Sequence, residues 1–205
     1  MRPLARLLSI VLHPLFMPVY TLALAMEIDP FVAFLLPMEG RWLTLAMVTV
    51  MTVAFPLTSA LLLKRAGVVK SLEMHDRQER IGPYVMTMVY YTMAWYLLQQ
   101  APLDLTASRM FAGAAIAVAI TAVITLRWKI SAHLVGLGGL IGSVAGLEHV
   151  HGLGAFPLIA GLIVLAGVLG SARLLTSDHT EGQVIAGGML GAVCTYASVV
   201  AGWNG

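Results

Sequence analysis

The residues able to do chemistry in this 205-residue chain fall in three short stretches. The first runs Lys70-Ser-Leu-Glu-Met-His-Asp-Arg77-Gln-Glu-Arg80-Ile-Gly-Pro83. The second is Trp128-Lys-Ile-Ser131-Ala-His133, and the third runs from Ser171 and Arg173 through Asp178 and His179 to Gln183. With His75 set aside as a solvated loop residue in a mixed charged run, they offer as one site two histidines, His133 and His179, with three or four fixed cations and no thiol. Arginine presents a planar fork to phosphate oxygens and lysine a point charge. Ser131 and the backbone amides behind it add donors at the start of a helix, where anions bind well. Two imidazoles that titrate near neutrality can divide phosphoryl transfer, one attacking phosphorus and one protonating the departing oxygen. The inventory suits a phosphate ester or anhydride.

The elements that must carry these stretches are membrane helices. Hydrophobic residues make up 59% of the chain and charged ones 11%, against about 25% in a soluble domain. Apolar runs of about 20 residues, enough to cross a bilayer, recur along it. That excludes a soluble enzyme, a disordered chain and a disulfide scaffold, and the lack of apolar–polar alternation excludes a membrane barrel. A lone cysteine, Cys194, and a net charge of +2 point to neither a disulfide framework nor nucleic acid.

Seven segments are expected: Leu7–Met26, Trp42–Leu63, Gly82–Gln100, Met110–Leu126, Ser131–Leu147, Phe156–Leu174 and Val184–Gly202. The fold class is therefore all-α, a polytopic bundle of six to seven spans in one domain, residues 1–205. Pro14, Pro18 and the apolar stretch Phe31–Met38 leave the first segment either a kinked span or a re-entrant one. Gly138, Gly142 and Gly146 form one stripe, and Gly187 and Gly191 repeat the spacing, as closely packed membrane helices require. Two spans separate each polar stretch from the next, so all three emerge on one membrane face and can converge.

With the N-terminus on that face, it holds ten of the twelve Lys and Arg: Arg2, Arg6, Lys64, Arg65, Lys70, Arg77, Arg80, Arg127, Lys129 and Arg173. Arg41 and Arg109 lie opposite. The positive-inside rule makes the rich side cytoplasmic. A re-entrant first segment would move Arg2 and Arg6 across and erase the signal.

The ordered trio resembles the type 2 phosphatidic acid phosphatase superfamily. Ser171-Ala-Arg173-x5-His179 is similar to its third motif, Ser131-Ala-His133 to its second (Pro-Ser-Gly-His), and Lys70-x6-Arg77 has the spacing of its first, with Arg80 a rival for that arginine. The resemblance implies an integral membrane phosphatase of the bacterial inner membrane. Its substrate would be a lipid phosphate or diphosphate (prenyl diphosphate, phosphatidate or phosphatidylglycerophosphate) and its intermediate a phosphohistidine. It implies His179 as nucleophile, His133 as the acid for the leaving group, and Lys70, Arg77 or Arg80, Ser131 and Arg173 as phosphate ligands, with no metal or other cofactor. Gln183 stands where the family has Asp. One helical turn from His179, its carbonyl can fix the imidazole tautomer without supplying charge. The alternative is a non-catalytic lipid-phosphate binder or transporter on the same fold.

Other ionisable residues read as supporting parts. Lys64, Arg65, Arg127 and Lys129 suit interfacial anchors. His13 suits a local backbone partner beside Pro14, and Glu148, His149 and His151 suit non-ligand roles on the opposite face. Partners are limited to the lipid substrate and membrane lipids, and the oligomeric state leaves no mark in the sequence.

Overall fold

The computed structural model describes residues 2–32, 34, 36–71, 78–176 and 179–201. Among the described residues are eight helices and no strand. They are α1 (Arg2–Val11), α2 (Met17–Ile28), α3 (Met38–Arg65), α4 (Ile81–Gln100), α5 (Leu105–Thr125), α6 (Ala132–His151), α7 (Phe156–Thr176) and α8 (Glu181–Val200). Four of them, α3, α5, α7 and α8, are long and apolar enough to cross a membrane. An all-helical membrane bundle follows.

The first apolar segment is broken in two. Pro14 pushes His13 out of helical geometry, and the chain turns through Leu12–Phe16 before α2 begins. Pro18 falls in the first turn of α2, where its missing N–H costs nothing. With 10 and 12 residues, α1 and α2 reach about 15 and 18 Å, each short of a bilayer. Ala5 and Ser9 face inward from α1, while Leu4, Leu7, Ile10 and Val11 are exposed. An apolar outer face on so short a helix suits the membrane interface. In α3 the ladder loosens into a π-turn over Val50–Ala54, because Pro56 lacks an N–H and its ring displaces the carbonyl one turn earlier.

Neighbouring ends give the helix directions. Gly136 lies against Pro14 and Met17, and Asp29 pairs with His151 at 2.5 Å, so α2 runs alongside α6 in the same sense. A Cβ on Gly138 would strike the Gly188 carbonyl, one on Gly142 the Ala192 carbonyl, and one on Gly146 the Val199 side chain at 2.8 Å. Thus α6 and α8 are parallel and packed backbone to backbone, as the small-residue stripe requires. The Ser198 hydroxyl donates to the Arg109 carbonyl at 2.8 Å and Gly113 abuts Thr195, which sets α5 antiparallel to α8. Ser59 and Tyr90 share a hydrogen bond of 2.7 Å between α3 and α4, and Gly82 lies against Leu63.

The starts of α2, α4, α6 and α8 and the end of α5 therefore gather at one end, joined by the end of α7. At the far end Leu22, Met26, Leu98, Phe111, Leu147 and Val199 form the main apolar core. Gly152, left-handed at φ +60°, ends α6 there, its amide bonded to the Glu148 carbonyl.

Candidate functional site

The close approach of α6 and α8 builds the polar end. Gly187 sits so near the Ser131 carbonyl that a Cβ would lie 2.7 Å from it, and the Ser131 amide donates to the Gln183 carbonyl at 3.2 Å. Thr180 caps α8 in a reciprocal box: its hydroxyl accepts from the Gln183 amide, and Gln183 Oε1 accepts from the Thr180 amide at 3.1 Å. That second bond orients the Gln183 amide group with oxygen toward the cap.

His179, just before the cap, is buried at 8% exposure, and its Nδ1 lies 3.1 Å from both Gln183 Oε1 and the Lys129 carbonyl. Both partners are acceptors, so Nδ1 carries the hydrogen and the neutral ring keeps its lone pair on Nε2. Burial holds the His179 pKa below its ordinary value. The Gln183 bond opposes this, and the positive charges of Arg80, Arg173 and Lys129 reinforce it. At neutral pH the ring is an unprotonated imidazole.

The remaining groups come from three directions. Arg173, in the last turn of α7, donates through Nη1 to the Ser9 hydroxyl at 3.2 Å. His133, in the first turn of α6, donates through Nε2 to the Ser9 carbonyl at 3.1 Å. The His13 ring meets it edge-on, 5.4 Å between centroids, while His13 Nδ1 accepts from the Leu15 amide. Arg80 ends a 3₁₀ turn, Gln78–Arg80, that leads into α4, and the Tyr84 hydroxyl lies close to its side chain and to Thr125.

Arg80, Ser131, His133, Arg173, His179 and Gln183 thus lie together at one end of the bundle. Arg77 lies outside the described residues, so of the two rival arginines the described one at the site is Arg80. Lys70 is exposed after α3, and among the described residues the charges acting on His179 come from Arg80, Arg173 and Lys129.

Ser131 differs from expectation. It is fully buried, among the described residues its hydroxyl has no partner and caps no amide, and its own amide is committed to Gln183. The tight α6–α8 contact closes it off, so in this conformation it is a packing residue and not an open phosphate ligand. Lys129, read as an interfacial anchor, instead supplies both a carbonyl and a charge to His179. Ser9, His13 and Tyr84 also belong to the cluster without having been singled out for it. The one advance sign for Ser9 is its spacing from Ala5, two small residues four apart on a helix of otherwise bulky side chains.

An apolar cleft of about 100 Å³ starts beside this cluster and lies between α2, α4, α5 and α6. Tyr84 borders it at the polar end, and Pro14, Tyr91, Phe111, Val118 and Leu140 line its walls. On the far face, His151 pairs with Asp29, Glu148 accepts from the Ala155 amide and His149 meets the Tyr196 hydroxyl. Among the described residues no three such side chains are grouped to hold a metal. No family model, curated protein or solved structure matches the chain.

Proposed function

We propose that this chain is an integral membrane phosphatase acting on a lipid phosphate or diphosphate, without a metal, through a phosphohistidine. The observation that carries the reading is His179: its Nδ1–H is held by two carbonyl oxygens, among the described residues nothing bonds its Nε2, and the charges of Arg80, Arg173 and Lys129 act on it. In the proposed reaction Nε2 attacks phosphorus as the bond from phosphorus to the lipid-bearing oxygen breaks. His133, having taken up a proton at Nδ1 from solvent, gives it to that oxygen, and the water that then cleaves the phosphorus–nitrogen bond returns a proton to His133. Arg80, Arg173 and Lys129 neutralise the phosphoryl oxygens, the part that a metal plays elsewhere. The apolar cleft beside Tyr84 fits an acyl or prenyl chain that stays at membrane depth.

The purified full chain, assayed without metal on prenyl diphosphate, phosphatidate and phosphatidylglycerophosphate, is expected to release phosphate from at least one. His179→Ala abolishes both release and labelled phosphate trapped on the protein. No release from any of the three overturns the reading. A neutral amide at Gln183 favours one rival, a lipid-phosphate binder or transporter that binds without turnover; label trapped on His179 excludes it.

The proposal includes six full crossings, α3 to α8 in alternation, with the shorter α2 alongside α6, in a bacterial inner membrane with the polar end cytoplasmic. The contacts of Ser9 with His133 and Arg173 support an N-terminus on the polar face, which keeps Arg6 with Lys64, Arg65, Arg127 and Lys129. Labelling of Gln78→Cys by an impermeant reagent in intact cells would reverse the sidedness.

A further inference from the structure

The three polar stretches begin at Lys70, yet two of the groups assigned to the reaction rest on a residue far upstream, Ser9. We infer that Ser9 is a positioning residue, its hydroxyl holding the Arg173 guanidinium and its carbonyl fixing the tautomer of His133. This rests on the reading of Arg173 and His133 as parts of a phosphate site.

The geometry is specific. Ser9 is buried, and its hydroxyl gives its own hydrogen to the Ala5 carbonyl at 2.9 Å. The oxygen's lone pairs are therefore what face Arg173 Nη1, 3.2 Å away. Arginine can only donate, so donor and acceptor match without rearrangement. The Ser9 carbonyl likewise can only accept, so the hydrogen between it and His133 belongs to Nε2. His133 Nδ1 is then the nitrogen left to bind, carry and deliver a proton to a leaving oxygen. One residue thus sets which atom of His133 is available and where Arg173 points. Helix α1 can present Ser9 because Ala5 and Ser9 share its inner face while Leu4, Leu7, Ile10 and Val11 face outward, toward lipid.

The two contacts separate experimentally, since Ser9→Ala removes the hydroxyl and leaves the carbonyl. In the full-length chain in nanodiscs, Ser9→Ala is expected to weaken inorganic phosphate binding about tenfold, the worth of a hydrogen bond to a charged group. KM for a lipid phosphate rises in step, kcat changes little, and Ser9→Thr restores both. The ¹⁵N spectrum of histidine-labelled protein is expected to show His133 protonated at Nε2 in wild type and in Ser9→Ala alike. Phosphate binding by Ser9→Ala equal to wild type, or a neutral His133 whose one ring hydrogen sits on Nδ1 instead of Nε2, overturns the inference. A chain that binds phosphate, loses affinity in Ser9→Ala and never turns over refutes the phosphatase and leaves the role of Ser9 standing. If Ser9→Ala does not fold, Ser9→Cys is measured in its place. A wild-type chain that binds no phosphate overturns both.

Discussion

Gln183→Glu is the change most informative about His179. Glutamate has the same reach as glutamine, so its carboxylate can keep both bonds that Gln183 Oε1 makes, to His179 Nδ1 and to the Thr180 amide, each 3.1 Å. What changes is charge. Two unit charges about 4 Å apart interact by about 1 kcal/mol in water and about 4 kcal/mol at an effective dielectric of 20. His179 and Gln183 are both buried, which argues for the stronger end, whereas desolvation of the new carboxylate and the nearby Arg80, Arg173 and Lys129 take back part of the gain. At 1.36 kcal/mol per pH unit, the His179 titration midpoint should rise by about one to two units. The acid limb of the kcat/KM profile should move to higher pH, and the His179 ¹⁵N titration should move with it. Above the new midpoint, activity should hold or rise, because the carboxylate stabilises the developing imidazolium. A midpoint that stays put or falls would refute the claim that Gln183 is the electrostatic partner of His179.

Three further outcomes follow from the geometry. Because burial and neighbouring cations depress the pKa of His179, the unfolded state takes up the proton more readily. Its contribution to stability is complete above about pH 6.5 and is lost as pH falls below that value, so melting temperatures should drop between pH 7.5 and 5.5, and less so in His179→Ala. Gly138→Ala, whose Cβ would strike the Gly188 carbonyl, should destabilise by about 1–3 kcal/mol and lower activity by shifting His133 from His179; Gly161→Ala, with open space around it, should do neither. Asp29→Ala removes the fully buried acceptor shared by His151 and the Phe31 amide and should cost about 2–3 kcal/mol in unfolding, while leaving the His179 titration unchanged.

Much of this arrangement was legible along the chain wherever the physics is local. Run length and hydrophobicity identify the helices after the first, since crossing hydrocarbon demands both. The four-residue spacing of Gly138, Gly142 and Gly146 anticipated the α6–α8 contact because only that spacing makes a smooth face. His179 and Gln183, one turn apart, meet as expected. Less local features were hidden. The Ser9 contacts span 124 and 164 residues and depend on how α1 folds back after Pro14. Lys129 acts partly through a backbone carbonyl, which every residue possesses and no side chain advertises. Ser131 carries the right functional group, yet the glycine packing that places it also buries its hydroxyl.

The same packing bears on why an amide can stand at position 183. The site asks that residue for one oxygen able to accept from both the imidazole and the cap, and glutamine supplies it with the length to reach. Aspartate is one methylene shorter, so serving both donors would require the helix start to shift, and α8 is pinned there by Gly187 against Ser131 and by the Ser131–Gln183 backbone bond. Length at this position is therefore set by the cap, and charge is left open. A neutral partner leaves the positive field of Arg80, Arg173 and Lys129 undiminished at His179. In the proposed reaction that field is answered by the phosphoryl group itself, whose negative oxygens supply on binding the stabilisation of the imidazolium that a resident carboxylate would otherwise give. In that reaction a glutamine at position 183 places the counter-charge on the substrate and not on the protein.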